Sequence, residues 1–207
     1  MSSKEMFKNL IENKQNLNEE FIKKYINEYI NKFNLHKYLD DVIVDNSFQL
    51  YCGYCENYDG KQVIFVDPSY VISDILRNRL FEFMTEANAD IDLCQIYANI
   101  ELLAYITHEL VHVRQRAIMD YSNNKIAKKL KISEQAMLND PNYYVSNEVH
   151  DSYMMEYNAN FDGFYETYMY LDFLDSKYKK MLLKDFIKIA ITNNETLEEG
   201  YNIHYGI

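Results

Sequence analysis

Within a mostly apolar run from Leu102 to Val113 stand His108, Glu109 and His112, in Ile106-Thr-His-Glu-Leu-Val-His-Val113. Ile100, Leu103, Ala104, Leu110 and Val111 predict a mostly buried helix, and burying two imidazoles and a carboxyl is unfavourable unless they are paired or bind a metal. His108 and His112 stand one helical turn apart on one face, a spacing that can bring two nitrogens to about 2.0–2.1 Å from one zinc ion. Glu109 is turned about 100° away, where it can take a proton from a metal-bound water and pass it to a leaving amine without ligating the metal. With five His and seventeen Glu in 207 residues, this pattern arises by chance in roughly one such chain in a hundred.

The rest of the chain supplies the frame. Helical periodicity covers 4–15 and 18–34, the latter with Phe21, Ile22, Tyr25, Ile26, Tyr29, Ile30 and Phe33 on one stripe. Val42–Val44, Gln49–Cys55 and Lys61–Asp67 read as strands, with a turn at Asn57-Tyr-Asp-Gly60, and predict a small antiparallel sheet across 42–67. Ser69–Glu86 and Ala89–Tyr121 read as helices. A charged, loosely structured insert follows over 122–145, its lysines 125, 128, 129 and 131 amid Ile126, Leu130 and Ile132 forming a solvated face or a short amphipathic helix that walls a cleft. Ser146–Asp175 and Lys177–Ile191 read as two further helices. No Pro-, Gly- or Ser-rich linker divides the chain, which predicts one helix-rich α+β domain over 1–207, with 1–40 a helical extension packed on it.

Cys52, Cys55 and Cys94 cannot make a disulfide framework and read as packing residues. A net charge of −11 argues against binding a phosphate backbone. No stretch of some eighteen apolar residues spans a membrane. With no signal peptide visible the chain reads as cytoplasmic, as would one trimmed of a leader.

A catalytic zinc takes three protein ligands and keeps one open position. Gln115 and Ile118 stand where the metzincin pattern needs Gly and His, so the third ligand must come from another segment. Glu156 is the leading candidate, with Glu148 and Glu166 its rivals. Ala159 lets its helix approach closely, and Asn160 shares the Glu156 face, where it can brace a ligand imidazole. Asp162 reads as a surface or capping residue. For a donor to the developing oxyanion, Tyr153 is favoured over Tyr143, Tyr144, His150 and His204, while His36 reads as structural.

His108-Glu-Leu-Val-His112 followed by Glu156-x-x-Ala159 resembles the gluzincin zinc metallopeptidases, in which a downstream helix glutamate completes the metal site. Glu156-Tyr-Asn-Ala-Asn160 is similar to the E-x-x-A-N signature of the small ImmA/IrrE-like metallopeptidases, although the gap after His112 is longer than theirs. Lethal-factor-like peptidases share E-x-x-A. The resemblance covers about residues 50–67 and 92–170. It implies a zincin-like fold, Zn2+ held by His108, His112 and Glu156, and an extended protein or peptide substrate paired along an edge strand, here Gln62–Asp67. The function expected is a zinc-dependent endopeptidase; the alternative is a zinc-binding regulatory or interaction protein with little turnover.

Overall fold

A computed structural model describes residues 1–47, 54–58, 61–69 and 91–174. The expected helices at 69–86 and 177–191, the start of the 49–55 strand, most of the 57–60 turn, Cys52 and His204 lie outside these residues. So do the side chains of Cys55, Cys94 and Glu148.

The chain opens with α1 (Ser3–Glu12) and α2 (Glu19–Phe33). Ser2 and Glu5 cap α1 reciprocally: the Ser2 hydroxyl accepts from the Glu5 amide, and the Glu5 carboxylate accepts from the Ser2 amide. Asn18 caps α2, which ends at Asn34 in the left-handed region (φ 55°). Their apolar stripes enter the same core as Ile100, Leu103, Ile106 and Leu110. Buried Asn99 fastens the connecting loop, its Oδ1 accepting from the Leu17 amide and its Nδ2 donating to the Gln15 carbonyl. The first forty residues thus share the core that carries the histidine helix.

Strands β1 (Leu39–Val44), β2 (Tyr54–Tyr58) and β3 (Lys61–Val66) form a sheet in the order β1-β3-β2. The antiparallel expectation is corrected. β2 and β3 are antiparallel, but β1 runs parallel to β3, pairing Val42 with Ile64 and Val44 with Val66. The placement of an edge at 62–67 is corrected with it, because β3 is central and both its hydrogen-bonding sides are occupied. The order follows from polarity. Val63-Ile-Phe-Val66 is the most apolar strand and gains most from being covered, whereas Asp40 and Asp41 of β1 and Glu56 and Asn57 of β2 suit an edge.

Helix α3 (Ile91–Tyr121) runs beneath β2 and β3. The region 122–145, expected to be loosely structured, contains α4 (Lys125–Asn139), capped by Asn124 and burying Ala127, Leu130 and Ser133. Its Lys125, Lys128 and Lys131 are exposed, so a solvated face backs onto a packed one. The single helix expected from Ser146 is two, α5 (Asn147–Ser152) and α6 (Met154–Tyr170). Tyr153 between them adopts extended dihedrals (φ −76°, ψ 140°), and its hydroxyl donates to Asp140 at 2.6 Å. No helix among the described residues is long and apolar enough to cross a membrane.

Helix α6 packs along α3. Ala159 is fully buried, but the closest approach lies one turn on, at Gly163. A Cβ there would stand 3.0 Å from the Ala104 carbonyl oxygen and 3.1 Å from the His108 amide nitrogen, backbone atoms that cannot step aside. Asp162, read from sequence as a surface or capping residue, is instead fully buried and ion-paired with Arg114, whose guanidinium also donates to Glu166 at 2.9 Å. Burial lifts the Asp162 carboxyl to about 7; Arg114 pulls it down and the like charge of Glu166 pushes it up.

Two predictions concern this contact. Gly163→Ala is expected to cost about 1–3 kcal/mol of stability in urea titrations, and a variant as stable as the parent would show that the helices do not meet as described. Asp162 holds a proton up to about 7 when folded, whereas the unfolded chain releases it near the ordinary aspartate value of 3.8. Folded protein therefore binds more protons between these values, and this contribution to stability falls as pH rises through that window. Asp162→Asn is expected to flatten the fall; unfolding free energies of parent and variant at pH 4.5, 6 and 7.5 check it, and parallel curves would contradict it.

Candidate metal centre

The centre is assembled where α3 and α6 touch. Histidines 108 and 112, on α3, project from the helix face that meets α6, and Glu156 comes from the first turn of α6. Their ligand-type atoms lie within 4.8 Å of one another and could hold a metal ion. The two Nε2 atoms are 3.0 Å apart, and Glu156 Oε2 lies 3.4 Å from that of His108 and 3.2 Å from that of His112. The side chains of His108, His112 and Glu156 retain 13%, 11% and 4% of their exposure, so the group is nearly buried yet open on the histidine side.

Two of the three members are held from behind, whereas His108 Nδ1 is buried with no hydrogen-bond partner among the described residues. Gln115, fully buried, accepts from His112 Nδ1 at 2.9 Å and donates its amide to the Met155 carbonyl at 3.0 Å. This bond places the proton of a neutral His112 on Nδ1 and leaves the Nε2 lone pair facing the centre. Tyr143 donates to Glu156 Oε1 at 2.6 Å, leaving Oε2 for the imidazoles. Burial and the Glu156 carboxylate push the Tyr143 hydroxyl far above its ordinary range, so it serves as a donor. His150, on α5, stacks on the Tyr143 ring (4.8 Å between centroids, 19°) and brings its Nε2 to 3.5 Å from Glu156 Oε2.

The electrostatics favour positive charge in the centre. Burial opposes ionisation of Glu156, yet the imidazoles outweigh it and hold the carboxyl well below its usual range. Burial likewise opposes a charged His112, but the nearby carboxylate pushes that pKa up to about 9. The field that retains a proton here also attracts a divalent cation, whose binding displaces it. Glu109 is half-buried beside the group; burial raises its pKa, and His108 and His112 pull it back. An elevated carboxyl pKa suits a group that accepts a proton and gives it up again.

Among the residues named from sequence, His108, His112 and Glu156 are brought together. Glu166 is taken by Arg114 and by Lys32 at 3.3 Å, away from the histidines. The Tyr153 hydroxyl is committed to Asp140, whereas Tyr143 donates to Glu156 and His150 Nε2 lies 3.5 Å from its other oxygen. The imidazole support expected of Asn160 comes from Gln115. Its signal was available, since Gln115 follows His112 by three residues and shares its face; for Tyr143, one of twenty tyrosines, sequence carries none.

Compared with protein-family models, curated proteins and solved structures, the chain matches none. Its chemistry is therefore read from these side chains.

Gln115→Ala removes the brace on His112 from a position that cannot itself reach a metal. We expect metal affinity to fall about 10- to 100-fold with folding retained, read by competition with a chromophoric zinc chelator. Unchanged affinity would mean that Gln115 does not orient the imidazole.

Proposed function

We propose that the chain is a zinc-dependent endopeptidase, with His108, His112 and Glu156 as the metal ligands and Glu109 as the proton carrier. The observation that supports it best is the convergence of the three ligand atoms. Donors 2.0–2.1 Å from a tetrahedral zinc stand about 3.3 Å from one another. The three separations here are 3.0, 3.2 and 3.4 Å. Two imidazoles and one carboxylate are also a donor set that suits zinc better than magnesium or calcium.

Zinc held by His108, His112 and Glu156 would lower the pKa of a coordinated water and polarise a carbonyl. The chain's own groups do the rest. Glu109 takes a proton as water adds to the peptide carbonyl, and delivers it to the departing amine when the C–N bond breaks. Gln115 and Tyr143 hold His112 and Glu156 in place throughout. His150 Nε2 lies 3.5 Å from Glu156 Oε2 on a side chain 35% exposed, and in this reading it donates to the oxygen on which negative charge develops. The substrate lies across the opening bounded by α5 and the 140–146 loop, and not along β3, whose main chain is fully paired.

The test is a set of variants in zinc-loaded protein. The parent is expected to hold about one zinc per chain and to cleave peptides, and His108→Ala to lose the metal. Glu109→Gln should keep the zinc and lose at least about 10²-fold in kcat, with His150→Gln losing about 10²-fold in kcat and little in KM. A Glu109→Gln variant that cleaves as fast as the parent would rule out this mechanism. A parent that holds zinc but cleaves nothing would favour the binding-protein alternative.

A further inference from the structure

Of the exposed large apolar side chains among the described residues, Ile132, Leu138, Tyr144 and Val145 fall in α4 and the loop after it. Tyr144 and Val145 are adjacent and retain 78% and 80% of their exposure. Single exposed apolar residues are ordinary, but two in succession on a fastened loop form a surface that water wets poorly. The loop is fastened. The Tyr143 amide donates to the Asp140 carbonyl at 3.2 Å, and the Val145 and Ser146 amides both donate to the Asn142 carbonyl. Asp140 itself accepts from the Asn142 amide at 2.8 Å and from the Tyr153 hydroxyl at 2.6 Å.

The loop is also joined to the metal centre. Tyr143, whose hydroxyl holds Glu156, lies edge-on to the Tyr144 ring with 4.6 Å between centroids. Tyr144 is thus one ring beyond a ligand's own support. We propose that Tyr144 and Val145 form the specificity lip of the centre, receiving a large apolar side chain of a polypeptide held at the metal. This rests on the peptidase reading for the word cleavage, but the binding preference can be measured without it. The occupant is a peptide because that is what the proposed reaction acts on, and apolar because Tyr144 and Val145 present exposed ring and methyl surface beside Tyr143.

The experiment uses the zinc-loaded full chain, the double variant Tyr144→Ser/Val145→Ser, and two dye-labelled alanine–glycine nonapeptides, one carrying three leucines and the other three serines. Neither substituted side chain supports a ligand, so zinc content and melting temperature should not change. The parent is expected to cleave the leucine peptide at least tenfold more efficiently in kcat/KM, and the double variant to bring the ratio close to one by losing the leucine rate alone. A parent without preference, or a double variant that keeps it, overturns the proposal. If the parent cleaves neither peptide, the peptidase reading falls, and fluorescence anisotropy with the Glu109→Gln chain decides the lip separately. Tighter binding of the leucine peptide that disappears with the Tyr144→Ser/Val145→Ser pair upholds it; equal binding overturns it. Sedimentation showing a dimer that the double variant dissolves would assign the surface to a second copy of the chain and overturn the proposal as well.

Discussion

A buried carboxylate facing two imidazoles across a helix–helix contact governs this structure. Glu156 is buried almost completely, and a carboxylate in such a place is unfavourable without compensation. Tyr143 supplies one hydrogen bond, and His108 and His112 supply positive potential from the other side. That arrangement requires α6 to lie close against α3, which explains why Ala159 and Gly163 occupy the contact. One turn below, the Arg114 guanidinium reaches from α3 to Asp162 and Glu166 of α6 and joins the same two helices by ionic contacts. Apolar packing, close approach and charge therefore all fix one relative placement of the helices.

The remaining elements serve that placement. The first two helices pack on both α3 and α6: Tyr25 reaches Thr107, the residue before His108, with 2.7 Å between hydroxyls, and its ring lies edge-on to that of Tyr170. The region 122–145 supplies the layer behind Glu156. Ser133 accepts from the Met155 amide, while the loop after α4 lowers Tyr143 onto the carboxylate. A segment that looks from its lysines like a solvated face thus carries a residue on which the metal centre leans.

Proton affinity and metal affinity are linked in such a centre. The charge distribution that holds His112 protonated up to about 9 is the one that would stabilise a divalent ion in the proton's place. The Gln115 bond gives a neutral His112 a fixed tautomer, and His150, with its side chain 35% exposed, stands beside Glu156. In the proposed reaction, chemistry and recognition are divided: α3 and α6 hold the reacting groups, and the loop between α4 and α5 meets the substrate.

The sequence by itself determined what is periodic or local. The apolar stripe of α2, the extent of α3, the facing of His108 and His112, and the position of Glu156 one helix face from Ala159 all follow from 3.6-residue periodicity and side-chain chemistry. The tertiary structure decided what depends on partners distant in the chain. Strand order is one such feature, because β3 takes the centre through competition among whole strands for burial, which no local pattern records. The break at Tyr153 is another, since the Asp140 carboxylate that engages its hydroxyl comes from the end of a different helix. Gly163, Arg114 and Tyr143 gained their roles only when α6, α3 and the 140–146 loop met, for close approach, charge pairing and a hydrogen bond to a buried oxygen are properties of two surfaces and not of one segment.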